Sequence, residues 1–377
     1  MNRRIGQLLF AIIILTGCKE DFEPPVIQQG VSALVVDGFI NNSADTTFIR
    51  LSHTNTLSEG IQHSAEKNAQ LFLENSAGNT LYNFTEFADS GQYFVPGMNL
   101  DGNQKYRLRI ITGNGQQYLS DDIPVINTPA IDSISFGRTN TNFSVYANTH
   151  DPANSTWYYR WEYTETWQYR AAFFSGLIAD HGAIFDRRPD QFVYECWKTQ
   201  SNKQLLLGSS ARLKTDVIYN FPVRNIDFNG IELSIKYYIL LHQYALTKEA
   251  YEYMDNLKKI TEQTGSLFDP QPSQVKGNIH SVSNPAAVVL GYLIASTPAV
   301  KELYITNEQV QPWNYDPRCI YLEVPTAQIV NAFSEESLIP LAWDGSPLNP
   351  KGVYATSHAC GDCTALGGVT ARPLFWQ

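Results

Sequence analysis

Residues 157–170 read WYYRWEYTETWQYR. Positions 157, 159, 161, 163, 167 and 169 are Trp, Tyr, Trp, Tyr, Trp and Tyr, and only Glu165 interrupts the row. The even positions from Arg160 to Arg170 are Arg, Glu, Thr, Thr, Gln and Arg. A period of two sends alternate side chains to opposite faces, so the stretch is a strand, or two strands sharing a face, with an aromatic side and a wet side. Such a face serves as the core of a sandwich or as a platform on which sugars stack. The core reading is preferred, because a one-sided aromatic strand is what a sandwich core requires.

The same period extends outward in both directions. Toward the N-terminus, residues 31–40, 46–52, 69–74, 81–86, 105–112 and 116–119 are short strand-like runs separated by Asn- and Gly-rich turns. Strands at that density predict an immunoglobulin-like β-sandwich over residues 29–126. Residues 123–130 (IPVINTPA), with two prolines, read as a linker. The remainder, 127–377, is expected to be a larger β-rich α+β domain. It opens with strands at 131–136 and 143–147, carries a buried strand at 231–241, and continues with strands at 274–279, 288–295 and 302–306. One helix stands out near 247–263. Thr247 is its N-cap, Glu249 lies in the first turn, Lys258 and Lys259 in the last, and Gly265 closes it. The fold class is therefore mainly β, in at least two domains.

The N-terminal residues set an address. Arg3 and Arg4 precede LLFAIIIL at residues 8–15, and Leu15-Thr16-Gly17-Cys18 follows. A run this short cannot span a bilayer, which takes about 20 apolar residues, but it suits the apolar region of a signal peptide. LTGC resembles the lipobox of bacterial lipoproteins, which implies a signal peptide at 1–17 and a lipid on Cys18. Residues 18–28, with Lys19-Glu20-Asp21 and Pro24-Pro25, read as a solvated acidic tether. Acidic residues behind a lipidated cysteine resemble the surface-export signal of Bacteroidota lipoproteins. Outer-membrane anchoring with display at the cell surface is the expectation, and a periplasmic-facing lipoprotein is the alternative.

Charge and cysteine content agree with that address. The chain has 27 Lys and Arg against 37 Asp and Glu. Such an acidic balance excludes nucleic acid as a natural partner, since phosphates are bound by displacing their counterions with Lys and Arg. Four cysteines remain beyond Cys18: Cys196, Cys319, Cys360 and Cys363. An even number outside the cytoplasm reads as two disulfides. Cys360 and Cys363 are expected to bond outward, one to Cys196 and one to Cys319, because a bridge between cysteines three apart is strained. Two alternatives use the same residues. His358, Cys360 and Cys363, completed by Cys319, would make a zinc tetrahedron, and a redox C-x-x-C would need a helix N-terminus where glycines suggest a loop.

Catalytic signatures are missing. No H-E-x-x-H, G-x-S-x-G or phosphate loop occurs. Ser273 and Lys276 match S-x-x-K without its partner motifs, Asp227-Phe228-Asn229-Gly230 suits a turn, and Asp180-His181 and His242 lack a nucleophile. Glu335-Glu336 reads as a solvated pair. A non-enzymatic chain without a cofactor beyond the lipid is expected.

Two segments carry a family resemblance. LFDPQPSQVKG at 267–277, with Asn284-Pro285 and Val289-Leu290-Gly291-Tyr292, and the terminal Cys360-Gly361-Asp362-Cys363 with Gly367-Gly368 and Phe375-Trp376, resemble an uncharacterised Bacteroidota lipoprotein family, domain of unknown function 4249. Leu34-Val35-Val36-Asp37-Gly38 also fits. The resemblance implies a setting beside TonB-dependent outer-membrane receptors, hence a role in ligand capture or as a lid for an importer, with an oligosaccharide or peptide as ligand. A stand-alone glycan-binding module, a structural envelope subunit and a hydrolase without a readable motif are the alternatives, in that order. Asp45-Thr46-Thr47 and Asp132-Ser133-Ile134 resemble an O-glycosylation sequon of that phylum, which makes Thr46 and Ser133 expected modification sites. Phe375-Trp376 is expected to act as a terminal apolar lock.

Overall fold

A computed structural model describes residues 33–54, 64–139, 141–262, 277–333 and 337–377. Cys18 and the tether, the S-x-x-K pair, Gly265 and Glu335-Glu336 lie outside the described residues.

The aromatic stretch forms a single strand, Tyr158–Arg170. Tyr159, Trp161, Trp167 and Tyr169 are buried. The sugar-platform reading loses its main support, because four of the six rings in the row are buried and Trp157 and Tyr163 are half-buried. The strand is flanked by Lys236–Ala245 on one side and by Glu195–Ser201 and Leu206–Ser209 on the other, and Ala299–Thr306 completes the sheet. A three-stranded sheet, Ile131–Arg138, Asn142–His150 and Val217–Asp227, packs across it. Phe143 and Val145 from one sheet and Trp161, Tyr237 and Ile239 from the other share one core. Trp161 stacks on Phe221 at 4.2 Å between ring centres. Its ring lies so close to Gly208 that a Cβ there would sit 2.7 Å from it.

Glu165 faces the same core and is only 1% exposed. Its carboxylate accepts hydrogen bonds from Arg224 Nε at 2.9 Å, from Tyr237 Oη at 2.6 Å and from Gln200 Nε2 at 2.6 Å. Arg224 comes from the facing sheet, and Tyr237 and Gln200 come from the two neighbouring strands. Burial alone would lower the Arg224 pKa, but its bonds to Glu165 outweigh this and hold it above the ordinary value. Burial first, and then the Glu165 charge, keep the Tyr237 phenol protonated far beyond its usual range.

The N-terminal unit is a two-sheet sandwich. One sheet holds Leu34–Gly38, Thr47–His53, Ser64–Ala65, Thr85–Phe87, Gln92–Val95 and Val289–Leu290. The other holds Ile40–Asn41, Gln70–Asn75, Thr80–Asn83, Lys105–Ile111, Gln117–Ser120, Ile123–Asn127, Ile279–Ser281 and Ala295–Thr297. Two expectations are corrected here. The supposed linker contains the strand Ile123–Asn127, which tolerates Pro124 because that residue pairs on one side only, with Lys105. The segment 278–297, assigned by sequence to the domain 127–377, returns to the first sandwich. There Ala295–Thr297 runs parallel to both Ile40–Asn41 and Ile123–Asn127. Gly291 allows the return, because a Cβ at that position would meet the Val36 carbonyl at 2.1 Å.

The helix Lys248–Glu262 follows directly from Lys236–Ala245. Thr247 Oγ1 accepts from the Ala250 N–H at 3.1 Å, as an N-cap should. Buried Ala250 and Met254 pack with Leu207, Leu246 and Ile294 where the sandwiches meet. The expected strand at 231–241 is shorter, because Ile231–Leu233 forms a 3₁₀ turn first. Among the described residues no helix is long and apolar enough to cross a membrane.

A third, small unit consists of Leu322–Pro325, Asn349–Ser357 and Leu338–Ser346, with the hairpin Leu177–Asp180 and Ala183–Asp186 against it. Disulfides join Cys196 to Cys363 and Cys319 to Cys360, closing loops of 167 and 41 residues. Cys196 and Cys363 are fully buried, whereas Cys319 and Cys360 are half-exposed.

Four outcomes are expected. Glu165→Ala, which leaves the Arg224 charge buried and unpaired, costs about 3–5 kcal/mol in urea unfolding, whereas a Glu165→Met/Arg224→Met double variant recovers most of that loss. Under mild reductant without denaturant, alkylation followed by mass spectrometry labels Cys319 and Cys360 before Cys196 and Cys363. Removing the Cys319–Cys360 pair by serine substitution costs about 2–4 kcal/mol. Burial lowers the pKa of His242, with Glu162 and Asp45 offsetting part of the effect. The unfolded chain therefore takes up this proton more readily, and stability falls as pH drops below about 6.5. His150, raised by its bond to Asp132, works in the opposite sense, so the comparison is His242→Gln against the parent chain. The variant should lose less stability between about pH 7 and pH 5.

Candidate functional site

The cysteine module does not build the metal site considered from sequence. All four thiols are spent in disulfides, so His358 has no thiolate beside it. Among the described residues no group of three or more His, Cys, Asp or Glu is placed to hold a metal ion. Nor is the module a loop: His358–Gly361 is one helical turn and Cys363–Leu366 a 3₁₀ turn, capped by Asp362, which accepts from the Thr364 N–H at 2.7 Å. Cys360 and Cys363 bond to different partners, so they do not form a C-x-x-C redox pair.

The module is a clamp between the third unit and the second sandwich. The Phe173 N–H donates to Cys360 O at 3.0 Å, the Cys363 N–H to Val193 O at 2.8 Å and the Gly176 N–H to Leu341 O at 2.9 Å. Arg187 donates to Ser175 Oγ, Leu177 O and Gln191 O at 2.8–3.1 Å. Burial lowers the pKa of this guanidinium, with Asp362 opposing, and it serves as a bracket for carbonyls. Around the clamp lie exposed Phe174, Phe192, Ile320, Tyr321 and Leu322. This apolar collar is the candidate functional surface. No sequence period marks it, because its residues come from separate segments that the disulfides, the third sheet's pairing and these hydrogen bonds bring together.

The collar is remote from the point where the described chain begins. Residue 33 enters the first sandwich at the start of Leu34–Gly38, and Phe39 already meets Tyr244 of the second sandwich at 4.6 Å between ring centres. From that junction the thirteen-residue strand Tyr158–Arg170 runs about 40 Å, at some 3.3 Å per residue, to reach the third unit.

Other polar clusters are closed. Asp216 accepts from Tyr159 Oη and Ser210 Oγ. Burial opposes ionisation of Asp151, yet bonds from Ser155 Oγ and the N–H groups of Ala153, Ser155 and Thr156 hold its carboxyl down to about 2. The carboxylates of Asp151 and Asp216 are held by donors that shape turns. His181 sits exposed in the hairpin turn beside Asp180. A cleft of about 210 Å³ at the junction is lined by Asp121, Asp122, Thr247, Glu249 and Tyr292 among others. Its Asn278 amide is occupied by the backbone of Leu293 in both directions. Thr46 and Ser133 are both exposed. Trp376 is buried against Trp197 and Tyr238, and Tyr304 Oη donates to Phe375 O at 2.6 Å, so the last residues pack on the outer face of the five-stranded sheet.

Comparison with known proteins adds a family and little else. No curated protein matches. Among solved structures, Escherichia coli alpha-2-macroglobulin activated by porcine elastase is similar at 14% identity, with a TM-score of 0.20 over 58% of this chain and 19% of that one. This chain thus spans about a fifth of that protein's length. The major pilin subunit of Bacillus cereus shows 12% identity and a TM-score of 0.15 over 58% of this chain and 66% of the pilin. A DUF3823 family protein of Parabacteroides merdae shows 11% identity and a TM-score of 0.11 over 58% of this chain and 92% of that protein. At such TM-scores none of these likenesses carries an argument. The family model is different in kind: its match runs through both sandwiches, from residue 19 to residue 302, and this chain belongs to the family described as Domain of unknown function (DUF4249).

Proposed function

We propose that this chain is a non-enzymatic accessory subunit of a TonB-dependent β-barrel receptor, anchored in the outer membrane by a lipid on Cys18 and displayed at the cell surface. Its task is to capture a ligand, an oligosaccharide or a peptide, or to act as a lid over the barrel. The observation that carries this reading is the disulfide-clamped unit with its apolar collar at the far end of the second sandwich. An exposed apolar surface of this kind marks a contact with another macromolecule. Two disulfides suit an oxidising compartment outside the cytoplasm. Anchoring at one end and an apolar surface at the other are what a docking subunit needs. The donor-saturated carboxylates favour a binding role over acid–base chemistry. Buried rings on Tyr158–Arg170 count against a stand-alone glycan platform.

The test is a pull-down of tagged full-length lipoprotein from native outer membrane in mild detergent, with partners identified by mass spectrometry. A stoichiometric TonB-dependent barrel is the expected result. Recovery of the protein alone in several detergents would sink the docking reading.

A further inference from the structure

Among the described residues, the third sheet ends on an edge with which no further strand pairs. Its strand order is Leu322–Pro325, Asn349–Ser357, Leu338–Ser346, and the Gly176 N–H bonds to Leu341 O along the far side. The free edge is therefore Leu322–Pro325 with residues 320 and 321 leading into it. Even-numbered side chains continue the core-facing side: Val324 is 4% exposed, Leu322 43% and Ile320 81%. The core thus runs off the sheet edge as an apolar step. Odd-numbered side chains lie on the other face, where Tyr321 meets Tyr354 at 5.6 Å between ring centres and Glu323 is paired with Tyr354 across the strands. Tyr354 Oη donates to Asp344 Oδ1 at 3.3 Å, so two carboxylates flank one phenol. Among the described residues no cation pairs with Glu323 or Asp344.

The edge is also held in an extended form. The Cys319–Cys360 bridge pins its start, and Thr356 Oγ1 donates to Ile320 O at 2.7 Å.

We propose that this edge accepts an extended segment of a partner protein as an added strand, apolar where it meets Ile320 and Leu322 and bearing Lys or Arg where it meets Glu323. Only another extended backbone satisfies a row of unpaired N–H and C=O groups, and alternate side-chain contacts then set the specificity. The inference rests on the accessory-subunit reading for where that partner is found, but not for the chemistry of the strand.

The probe is a fluorescent peptide of alternating Val and Lys, titrated into the full-length protein in detergent at about 0.15 M salt, where distant charges are screened. Its twin carries N-methyl groups on alternate backbone nitrogens, which keeps the charge and removes the hydrogen bonds. Saturable binding to the parent chain is expected, weaker by about tenfold or more for the N-methylated twin and for the Glu323→Lys and Ile320→Asp chains. Equal binding of both peptides, no binding, or variants that bind like the parent would overturn the proposal. So would a dimer in sedimentation that Glu323→Lys dissolves, since a second copy would then own the edge. The assay contains no barrel, so its failure is distinct from recovery of the lipoprotein alone in the pull-down.

Discussion

A carboxylate sits inside an aromatic core, and much of the second sandwich is arranged to make that tolerable. Leaving Glu165 unpaired would cost several kcal/mol. The remedy needs Arg224 from the opposite sheet, Tyr237 from one neighbouring strand and Gln200 from the other at the same point. One residue therefore fixes the register of three strands and their alignment with the facing sheet. A slip by a single position would turn the whole aromatic row to the sheet's outer face and point Thr164 or Thr166 at Arg224. The same register places Cys196 opposite Tyr169, buried and facing Cys363. The location of the third unit thus depends on an ion pair formed elsewhere in the same core.

Local features were legible and long-range ones were not. The period-two pattern at 157–170 identifies a strand because side-chain alternation is a property of the strand itself. Thr247 with Glu249 announces a helix start for the same reason. Glu165 looked like a flaw in the aromatic row. Its role appears only when Arg224, some sixty positions on, is brought across from the other sheet. The domain boundary after residue 126 failed because Ala295–Thr297 pairs with strands more than 160 residues earlier, and nothing in its composition records those partners. The outward bonding of Cys360 and Cys363 follows from their close spacing. Which of them reaches Cys196 is set by the turn at Asp362, which spacing does not encode.

Size explains the cysteines. Among the described residues the core cluster of the third unit has six buried hydrophobic residues: Leu177, Val324, Ile329, Phe333, Val353 and Ala355. So small a core does not offset the entropy of ordering its own chain, and units of this size are usually stapled. Here one bridge ties the unit within itself and the other ties it to the large sandwich. Arg187, donating to carbonyls and a hydroxyl, adds hydrogen bonds where there is too little apolar area for packing to suffice.

The family match stops at residue 302, inside the strand Ala299–Thr306, yet the physical unit does not stop there. Ile305 is fully buried in the second core, and Cys363 is bonded to Cys196 on the opposite side of the same sheet. The third unit is consequently joined to the body by covalent links at separated places, among them the chain leaving Ala299–Thr306 and the Cys196–Cys363 bridge. A unit attached by one linker would swivel, and a force or a bound strand at its edge would move it alone. Attached at more than one point, it is tied to the five-stranded sheet, whose Glu165 is in turn bonded to Arg224 of the facing sheet. An exposed edge carried on so stiff a mount costs little entropy to occupy, because the strand it offers is already ordered before any partner arrives.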